Sequence, residues 1–270
     1  MSEGPLLDDE VALARASLLH LLKARGYKFV TPTPTTHARV VARQRMARNI
    51  RDVFGWSLPF DRGSLDAELV DQMRLADVLG ERNGVLKSSV RVSTLGNDYF
   101  LHSAYPTTQA DAVFFGPDSY RFADFVAREL PNVPRAKRLA DIGAGSGVGG
   151  VAALRTGRVK HLIATDINKA ANALLDANFD FVMQTRRKDE DFSLHNLVCD
   201  GLSAVDGDLD CIIANPPYIA DPAHRAYRDG GAMHGGEISL TWAREAAARL
   251  TRGGAFLLYT GSAIVEGEDQ

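Results

Sequence analysis

The fold class is decided by the stretch Asp141-Ile142-Gly143-Ala144-Gly145-Ser146-Gly147, which joins an apolar run to a helical pattern. The apolar run, Arg138–Ile142, is rich in residues that favour strands. Glycines between a strand and a helix let the backbone turn sharply, and they let a ligand approach without meeting a Cβ atom. The amides at the start of the helix then offer donors to a carboxylate or a phosphate. The stretch therefore predicts a nucleotide-type cofactor site behind the first strand of an α/β sheet.

An acidic residue at the end of the next predicted strand supports this interpretation. Asp166 ends the apolar run His161–Asp166 and follows Gly143 by twenty-three residues. An acid at this place can accept hydrogen bonds from the two hydroxyls of a ribose. A dinucleotide and S-adenosylmethionine both need the same turn and the same acid, so these two features leave both cofactors open.

The rest of the chain after about Phe114 continues as short apolar runs that alternate with helical patterns. This alternation predicts an α/β fold with a doubly wound, mostly parallel sheet that helices cover on both faces. The predicted strands are 138–142, 161–166, 197–199, 211–214 and 255–259, and the clearest helices are 169–181 and 238–250.

The first hundred residues have a different pattern, which is helical and then hairpin-like. Helices are predicted over 8–23, 38–54 and 64–79, with Ser64 as the N-cap of the third, and a hairpin over 90–101. Three helices followed by a hairpin resemble a winged-helix module. We therefore expect a smaller N-terminal, winged-helix-like domain over 1–110 and a catalytic domain over 111–270.

The composition limits the class of protein. The hydrophobic share of 45% and the charged share of 24% are close to the average of globular chains. The net charge of −3 disfavours a globally basic nucleic-acid binder. Two cysteines cannot form a disulfide framework or a four-thiolate metal site. Because the sequence has neither a signal-peptide pattern nor a run of about 18 apolar residues, we expect a soluble, cytoplasmic protein.

A second motif, Asn215-Pro216-Pro217-Tyr218, follows the fourth predicted strand. Its two prolines fix φ and remove two N–H donors, so the segment is stiff and presents carbonyl acceptors. The Asn215 side-chain oxygen and the Pro216 carbonyl are suited to hold both N–H bonds of a planar amine, which turns the lone pair of the nitrogen towards an electrophile. Tyr218 can stack on a flat substrate group. The motif predicts a catalytic site for a planar nitrogen.

The two motifs, together with Asp200-Gly201 after the third strand, resemble those of class I S-adenosylmethionine-dependent methyltransferases. The Asn-Pro-Pro-Tyr element is similar to that of the branch that methylates glutamine amides of proteins and exocyclic amines of bases. Ile219 after the motif is similar to the release-factor glutamine methyltransferase type. The resemblance covers about 112–262. It implies S-adenosyl-L-methionine as the cofactor and methylation of nitrogen as the activity.

The resemblance also implies a role for each matching residue. The glycines would wrap the methionine part of the cofactor near Asp141, Asp166 would hold the ribose, and Asp200 would lie beside the adenine amine. The implied cofactor-binding residues are Asp141, Gly143, Gly145, Gly147, Asp166, Ile167, Asp200, Gly201 and Asn215. The implied catalytic residues are Asn215, Pro216 and Tyr218.

The sequence departs from the family in two places. Phe115–Phe122 resembles the segment that closes over the cofactor, but it lacks the Pro-Glu-Thr-Glu-like sequence of glutamine-methylating enzymes. Members of the family continue past the fifth strand with a helix and two more strands, whereas this chain ends at Gln270. We therefore expect a sheet that is truncated after its fifth strand, with an edge that is able to pair with another chain.

Several alternatives stay open at this point. An NAD(P)-binding oxidoreductase would use the same glycine turn, and a non-catalytic adaptor would retain the cofactor pocket and act through its N-terminal part. The methyl acceptor is open between a protein glutamine and a base of RNA or DNA. The segment Arg39–Arg51 carries five arginines and no acid, which suits either contact with RNA phosphates or a solvated face. The loop 229–236 is either a lid or a plain connection.

Overall fold

The chain was analysed as a computed structural model, which describes residues 8–185, 192–219, 229–266 and 268–269. The described residues form two compact units. Those of the first unit lie within Met1–Thr108, Phe114–Pro117 and Ala173–Arg186. Those of the second unit lie within Gln109–Val113, Asp118–Asn172 and Arg187–Gln270.

Up to residue 108, the described chain forms four helices and two antiparallel hairpins. The helices are α1 (Asp8–Ala24), α2 (Pro34–Val41), α3 (Ile50–Phe54) and α4 (Ala67–Leu75). The hairpins are formed by β1 (Leu79–Arg82) with β2 (Val85–Ser88), and by β3 (Val90–Leu95) with β4 (Asp98–Ser103). The first helix and the hairpin over 90–101 are thus confirmed, while the β1–β2 hairpin was not predicted.

The prediction of a single helix over 38–54 is wrong. The chain instead forms α2 and α3, which are separated by a turn over 42–49. The buried carboxylate of Asp52 holds this turn, since it accepts hydrogen bonds from Gln44 Nε2 at 2.7 Å and from the Arg48 N–H at 2.8 Å. Local bonds from a side chain to the backbone compete with helical hydrogen bonds, and here they interrupt the helix.

The predicted helix over 64–79 is too long at both ends. Its N-cap is Asp66, whose carboxylate accepts a hydrogen bond from the Leu69 N–H at 3.1 Å, and not Ser64. Aspartate is a preferred N-cap residue, because its oxygen satisfies one of the unpaired N–H groups of the first turn. At the other end, Leu79 is already the first residue of β1.

The second unit is built on a five-stranded sheet in which every neighbouring pair is parallel. Across the sheet the strands lie in the order β7, β6, β5, β8, β9. Their bounds are β5 (Arg138–Ile142), β6 (His161–Asp166), β7 (Ser193–Val198), β8 (Leu209–Ala214) and β9 (Leu250–Leu258). The predicted α/β fold with a doubly wound parallel sheet is confirmed. The last three strands begin earlier than predicted.

The remaining elements are five helices, a short 3-10 turn at Leu130–Asn132 and a small hairpin. The helices are α5 (Pro117–Glu129), α6 (Val148–Arg155), α7 (Lys169–Gln184), α8 (Ala232–Gly235) and α9 (Glu237–Arg249). The hairpin pairs β10 (Ile264–Val265) with β11 (Glu268–Asp269). None of the helices in the described residues combines the length and the apolar character needed to cross a membrane.

The core of the second unit lies along the two middle strands. Ala140 and Ile142 of β5 and Ile212 and Ala214 of β8 are fully buried. Helix α6 packs beside them with the whole of Val148–Leu154 buried. Because these strands are fixed on both sides, the turns that leave their carboxyl ends are held in defined positions.

Candidate active site

The glycine turn and the Asn-Pro-Pro-Tyr motif leave the carboxyl ends of two neighbouring strands. Ile142 at the end of β5 pairs with Ala214 at the end of β8, so Gly143 and Asn215 follow at the same level of the sheet. Neighbouring strands lie about 4.8 Å apart. The strand order reverses between β5 and β8, because β6 and β7 lie on one side and β9 lies on the other. Ligands of open α/β sheets bind at such a reversal.

The turn after β5 has a backbone conformation that glycine adopts most readily. Gly143, Gly145 and Gly147 have φ angles of 64°, 56° and 82°. A Cβ atom at Gly143 would lie only 2.6 Å from the indole ring of Trp242, whereas one at Gly145 would meet nothing within 4 Å. The turn therefore packs closely on a helix at its first glycine and leaves open space at its second.

Asp166 ties the glycine turn to the end of β6. One carboxylate oxygen accepts a hydrogen bond from the Gly145 N–H at 2.9 Å, and the other accepts one from the Asn168 N–H at 2.8 Å. Burial raises the pKa of Asp166 above its ordinary value. Each oxygen keeps a further lone pair, so the carboxylate can still accept a hydrogen bond from a ligand hydroxyl.

Beside this acid lies Ile167, which exposes 65% of its surface. A large apolar side chain directly after an acid at a sheet edge provides a flat, dry surface next to a hydrogen-bond acceptor. The pair is suited to a nucleoside, because a nucleoside presents an aromatic ring next to two hydroxyls.

Asp141 lies beneath the turn and not at its surface, with 1% of its area exposed. One of its oxygens accepts a hydrogen bond from the Gly150 N–H in the first turn of α6 at 2.7 Å. Burial raises the pKa of Asp141 to about 7, against the opposing effect of this hydrogen bond. The observed contact of the carboxylate is with the start of α6, and its predicted proximity to the amino group of a cofactor stays a prediction.

Asp200 and Gly201 form the turn after β7, with Asp200 exposed. Val198 at the end of β7 pairs with Asp166, so this turn follows next to the acid of β6. Gly201 has a φ angle of 52°, and the carboxylate of Glu245 on α9 lies where a Cβ atom would be. Glu245 also accepts a hydrogen bond from the Leu202 N–H at 3.1 Å, which holds the turn. Glu245 was not predicted, since nothing in the local sequence links it to this turn.

The Asn-Pro-Pro-Tyr motif is stiff and partly accessible. Asn215, Pro217 and Tyr218 are half-buried, while Pro216 is buried. Within the described parts of the chain, no group forms a hydrogen bond with the Asn215 side-chain amide. An amide that is held at a ligand-binding edge, without a partner in the described part of the chain, is able to bind a polar group of a substrate.

Tyr218 is fixed by an acid from another element. Its hydroxyl donates a hydrogen bond to Asp118 Oδ2 on α5 at 2.8 Å. Burial raises the pKa of Tyr218, and the bond to Asp118 raises it further. A Cβ atom at Gly261 would lie 2.8 Å from the Tyr218 ring, so the backbone after β9 packs directly on that ring. Asp118 was not predicted as a partner, although it lies in the segment that was predicted to close over the cofactor.

The loop 229–236 turns back onto the backbone of the motif. The Gly230 N–H donates to the Ile219 carbonyl at 2.9 Å, and a Cβ atom at Gly230 would lie 2.8 Å from the Pro217 carbonyl. Met233 and His234 adopt left-handed conformations, and Met233 exposes 62% of its surface. The loop is therefore more than a plain connection, because its backbone packs so closely on the backbone of the motif that position 230 has no room for a Cβ atom.

The chain matches the model of a known family. The model of the family described as "methyltransferase small domain" matches residues 112–262, which is more than half of the chain. A search of curated proteins finds no match.

Several solved structures are similar to this chain. One is a ribosomal protein L11 methylase from Lactobacillus delbrueckii subsp. bulgaricus, with 20% identity, coverage of 54% of this chain and 61% of that one, and a TM-score of 0.40. Another is Trm5 of Methanocaldococcus jannaschii in complex with adenosine, with 19% identity, coverage of 65% and 46%, and a TM-score of 0.43. A third is a SAM-dependent methyltransferase from Agrobacterium tumefaciens, with 14% identity, coverage of 70% and 59%, and a TM-score of 0.46. The matched part of this chain thus spans 46% to 61% of these proteins.

Proposed function

The chain belongs to the methyltransferase small domain family, and from this membership we propose that it methylates a planar nitrogen of a macromolecule. S-adenosyl-L-methionine is the methyl donor of this family, so the predicted cofactor is confirmed. The acceptor is a glutamine amide of a protein or an exocyclic amine of a nucleic-acid base. The family favours this activity over that of an NAD(P)-dependent oxidoreductase.

The residues at the sheet edge fit the cofactor. The glycine turn leaves open space at Gly145, where a ligand can approach the backbone. Asp166, which accepts the Gly145 N–H, would also accept hydrogen bonds from the ribose, and the exposed Ile167 would offer an apolar surface to the adenine ring. Asp200 and Gly201 border the same edge from β7. When bound, S-adenosyl-L-methionine supplies a methyl group on a positively charged sulfur, which is a strong electrophile.

One observation carries the proposed acceptor chemistry, namely the Asn215 amide beside the glycine turn, which has no hydrogen-bond partner among the described residues. The Asn215 oxygen and the Pro216 carbonyl would accept the two hydrogens of an –NH₂ group. This pair of bonds aims the nitrogen lone pair along one line, and such orientation is the main contribution that a protein can make to a displacement reaction. The same two oxygens stabilise the positive charge that develops on the nitrogen.

Tyr218 completes the proposed acceptor site. Its hydroxyl is held by Asp118 and its ring packs on the backbone at Gly261, so the ring cannot rotate freely. A fixed aromatic ring next to the amide is suited to stack on the flat group that carries the nitrogen. As the new N–C bond forms, the C–S bond breaks and S-adenosylhomocysteine leaves as a neutral thioether. The methylated nitrogen then releases one proton to solvent, so in this arrangement no residue has to act as a general base during the transfer.

The first prediction concerns Asn215 and tests this function. We expect Asn215→Ala to lower kcat about 100-fold, because one of two charge-stabilising acceptors is lost. The affinity for S-adenosylhomocysteine should stay within about threefold. The measurement combines tritiated methyl incorporation into a cell lysate with calorimetric titration of S-adenosylhomocysteine. Asn132→Ala is the matched control, since Asn132 is an exposed asparagine in the 3-10 turn.

The outcomes of this experiment separate the alternatives. Loss of the tritium label after protease treatment identifies a protein acceptor, and loss after RNase treatment identifies an RNA acceptor. Loss after DNase treatment identifies a DNA acceptor, and a wild-type protein that binds S-adenosylhomocysteine but labels none of the three would be a non-catalytic adaptor. Methyl transfer that survives Asn215→Ala within about threefold would contradict the role of this amide.

A further inference from the structure

The first unit carries a group of arginines that the proposed active site does not use. All five side chains are exposed. They lie in the last turn of α2, in the turn over 42–49 and in α3. We call this group the arginine cluster, and its members are Arg39, Arg43, Arg45, Arg48 and Arg51.

The arginine cluster is not neutralised by the protein. Within the described residues, none of its guanidinium groups forms an ion pair or a hydrogen bond. Some other exposed arginines of the chain are paired, as Arg62 is with Glu81 and Arg74 is with Asp71. Arg82, Arg135 and Arg252 are exposed and, within the described residues, have no such pair. The acid nearest to the cluster in sequence is Asp52, and its carboxylate is buried and occupied by bonds to Gln44 and the Arg48 N–H.

The turn that carries the middle of the cluster is held firmly. Asp52 binds it from the inside, and the Ala47 N–H donates to the Pro59 carbonyl at 2.8 Å. Asn49 caps the start of α3 with a bond from the Asp52 N–H at 3.1 Å. The guanidinium groups are therefore presented outward from an ordered backbone and not from a loose loop.

The charge of the cluster stands out against the rest of the protein. Its five arginines contribute +5 to a chain whose net charge is −3, so the remainder carries −8. Local positive charge on a globally acidic protein does not serve solubility, because it reduces the net charge. Five exposed positive charges within thirteen residues attract a polyanion, whereas the net charge of the remainder disfavours its binding.

We propose that the arginine cluster binds the phosphate backbone of RNA, and that this RNA carries the methyl acceptor. Guanidinium groups form bidentate hydrogen bonds with phosphates, and they do so without reading the sequence. A solvated face would be expected to interleave acids with the arginines, and the segment from His37 to Arg51 has none. The identity of the RNA as acceptor rests on the proposed function, whereas the binding of RNA does not.

The test measures binding of unfractionated transfer RNA to the full chain at several salt concentrations. The variant is Arg39→Gln/Arg43→Gln/Arg45→Gln, which spares Arg51 because its guanidinium lies over the ring of Phe29. It also spares Arg48, which lies next to the Asn49 cap of α3. We expect the variant to bind at least about 10-fold more weakly at about 0.1 M salt. The slope of log K against log salt should fall by about 2, since each lost phosphate contact removes about 0.7 to 0.9.

The matched control is Arg62→Gln/Arg74→Gln/Arg128→Gln. It removes three exposed arginines that are paired with acids, so the change in total charge is the same. We expect it to bind RNA within about twofold of the wild type. A third variant, Arg39→Lys/Arg43→Lys/Arg45→Lys, should retain most of the affinity, because the positive charge is kept.

Three results would overturn the proposal. The first is a wild type that does not bind transfer RNA. The second is an equal loss of RNA affinity in the cluster variant and in the control variant. The third is binding of poly-glutamate as tight as that of transfer RNA, which would indicate an acidic protein partner. A wrong assignment of the proposed function would give a different experimental result. In that case RNA still binds through the cluster, but S-adenosylhomocysteine does not bind or no tritiated methyl group is incorporated.

Discussion

Asp118 is the residue through which α5 acts on the Asn-Pro-Pro-Tyr motif. Its Oδ2 atom accepts the Tyr218 hydroxyl at 2.8 Å, and its other oxygen pairs with Arg121. Asp118 lies outside the motif in sequence, yet its hydrogen bond fixes the direction of the motif's aromatic ring. We therefore regard it as a positioning residue, because it acts on a substrate through Tyr218.

This leads to a second prediction, about Asp118 and Tyr218 together. We expect Asp118→Ala and Tyr218→Phe each to lower kcat/KM about 10-fold, and the double variant to lose no more than either single variant. Asp118→Asn should recover most of the activity, since its amide oxygen can still accept the hydroxyl. Asp124→Ala on the same helix is the control, because Asp124 is exposed and paired only with Arg128. Additive losses in the double variant would show that the two residues act separately.

The third prediction follows from the raised pKa of Asp141, about 7, which is caused by burial. An acid whose pKa is raised on folding stabilises the fold below its unfolded pKa, and this contribution is lost as the pH rises through the folded pKa. Asp141→Asn removes this titration. We expect the variant to gain stability relative to the wild type by about 2 kcal/mol between about pH 5 and pH 8. The measurement is the difference in urea-unfolding free energy, and a difference that is constant with pH would contradict it.

At the scale of elements, the sequence was most informative about the buried strands. The bounds of β5 and β6 agree with the predicted runs 138–142 and 161–166, because a parallel strand buried on both faces reads as a continuous apolar run. The β1–β2 hairpin was missed, although Asn83-Gly84 is a strong turn signal whose φ angles of 53° and 76° suit a hairpin. The strand before this turn is mostly polar and exposed, so its sequence shows no alternation of apolar and polar residues that would predict a strand.

Apolar runs and turn signals do not predict contacts between residues that are distant in sequence, and the site contains several such contacts. The glycine turn, Asp166 and the Asn-Pro-Pro-Tyr motif could be found because each directly follows an apolar run. Asp118 and Trp242 could not, since they meet the site only through folding of distant segments. The interruption of the helix over 38–54 was equally hidden, because periodicity does not show whether a carboxylate points inward.

That inward carboxylate leads to the fourth prediction. Asp52→Ala removes the acceptor of the Arg48 N–H and one of the two acceptors of the Gln44 amide, which keeps its bond to the Met46 carbonyl. This loss should lower the free energy of unfolding by about 2 kcal/mol. The same change should weaken binding of transfer RNA several-fold, because the turn that presents the arginine cluster loses its support. Asp61→Ala is the control, since Asp61 is exposed and we expect a change within about 0.5 kcal/mol. A stable variant with unchanged RNA affinity would contradict the role of Asp52.

For the whole molecule, the first compact unit is not one continuous piece of chain. It includes residues from Ala173–Arg186 together with those before Thr108. Asn178 is fully buried and bonds both backbone groups of Leu101, accepting from the N–H at 2.7 Å and donating to the carbonyl at 3.1 Å. Phe181 is also fully buried and packs against the rings of Tyr99 and His20.

The fifth prediction therefore concerns the predicted division of the chain at residue 110, which stays a prediction. A fragment of residues 1–110 would expose Leu101 and the ring contacts that Asn178 and Phe181 cover, so we expect it not to fold cooperatively. In the full chain, Asn178→Ala should cost about 3 kcal/mol, since two buried backbone groups lose their partners. Circular dichroism and urea unfolding measure both effects, with Asn132→Ala as the exposed control. A fragment that unfolds in one sharp transition would instead support an independent N-terminal domain, and Asn178 would then stabilise a unit that is complete without it.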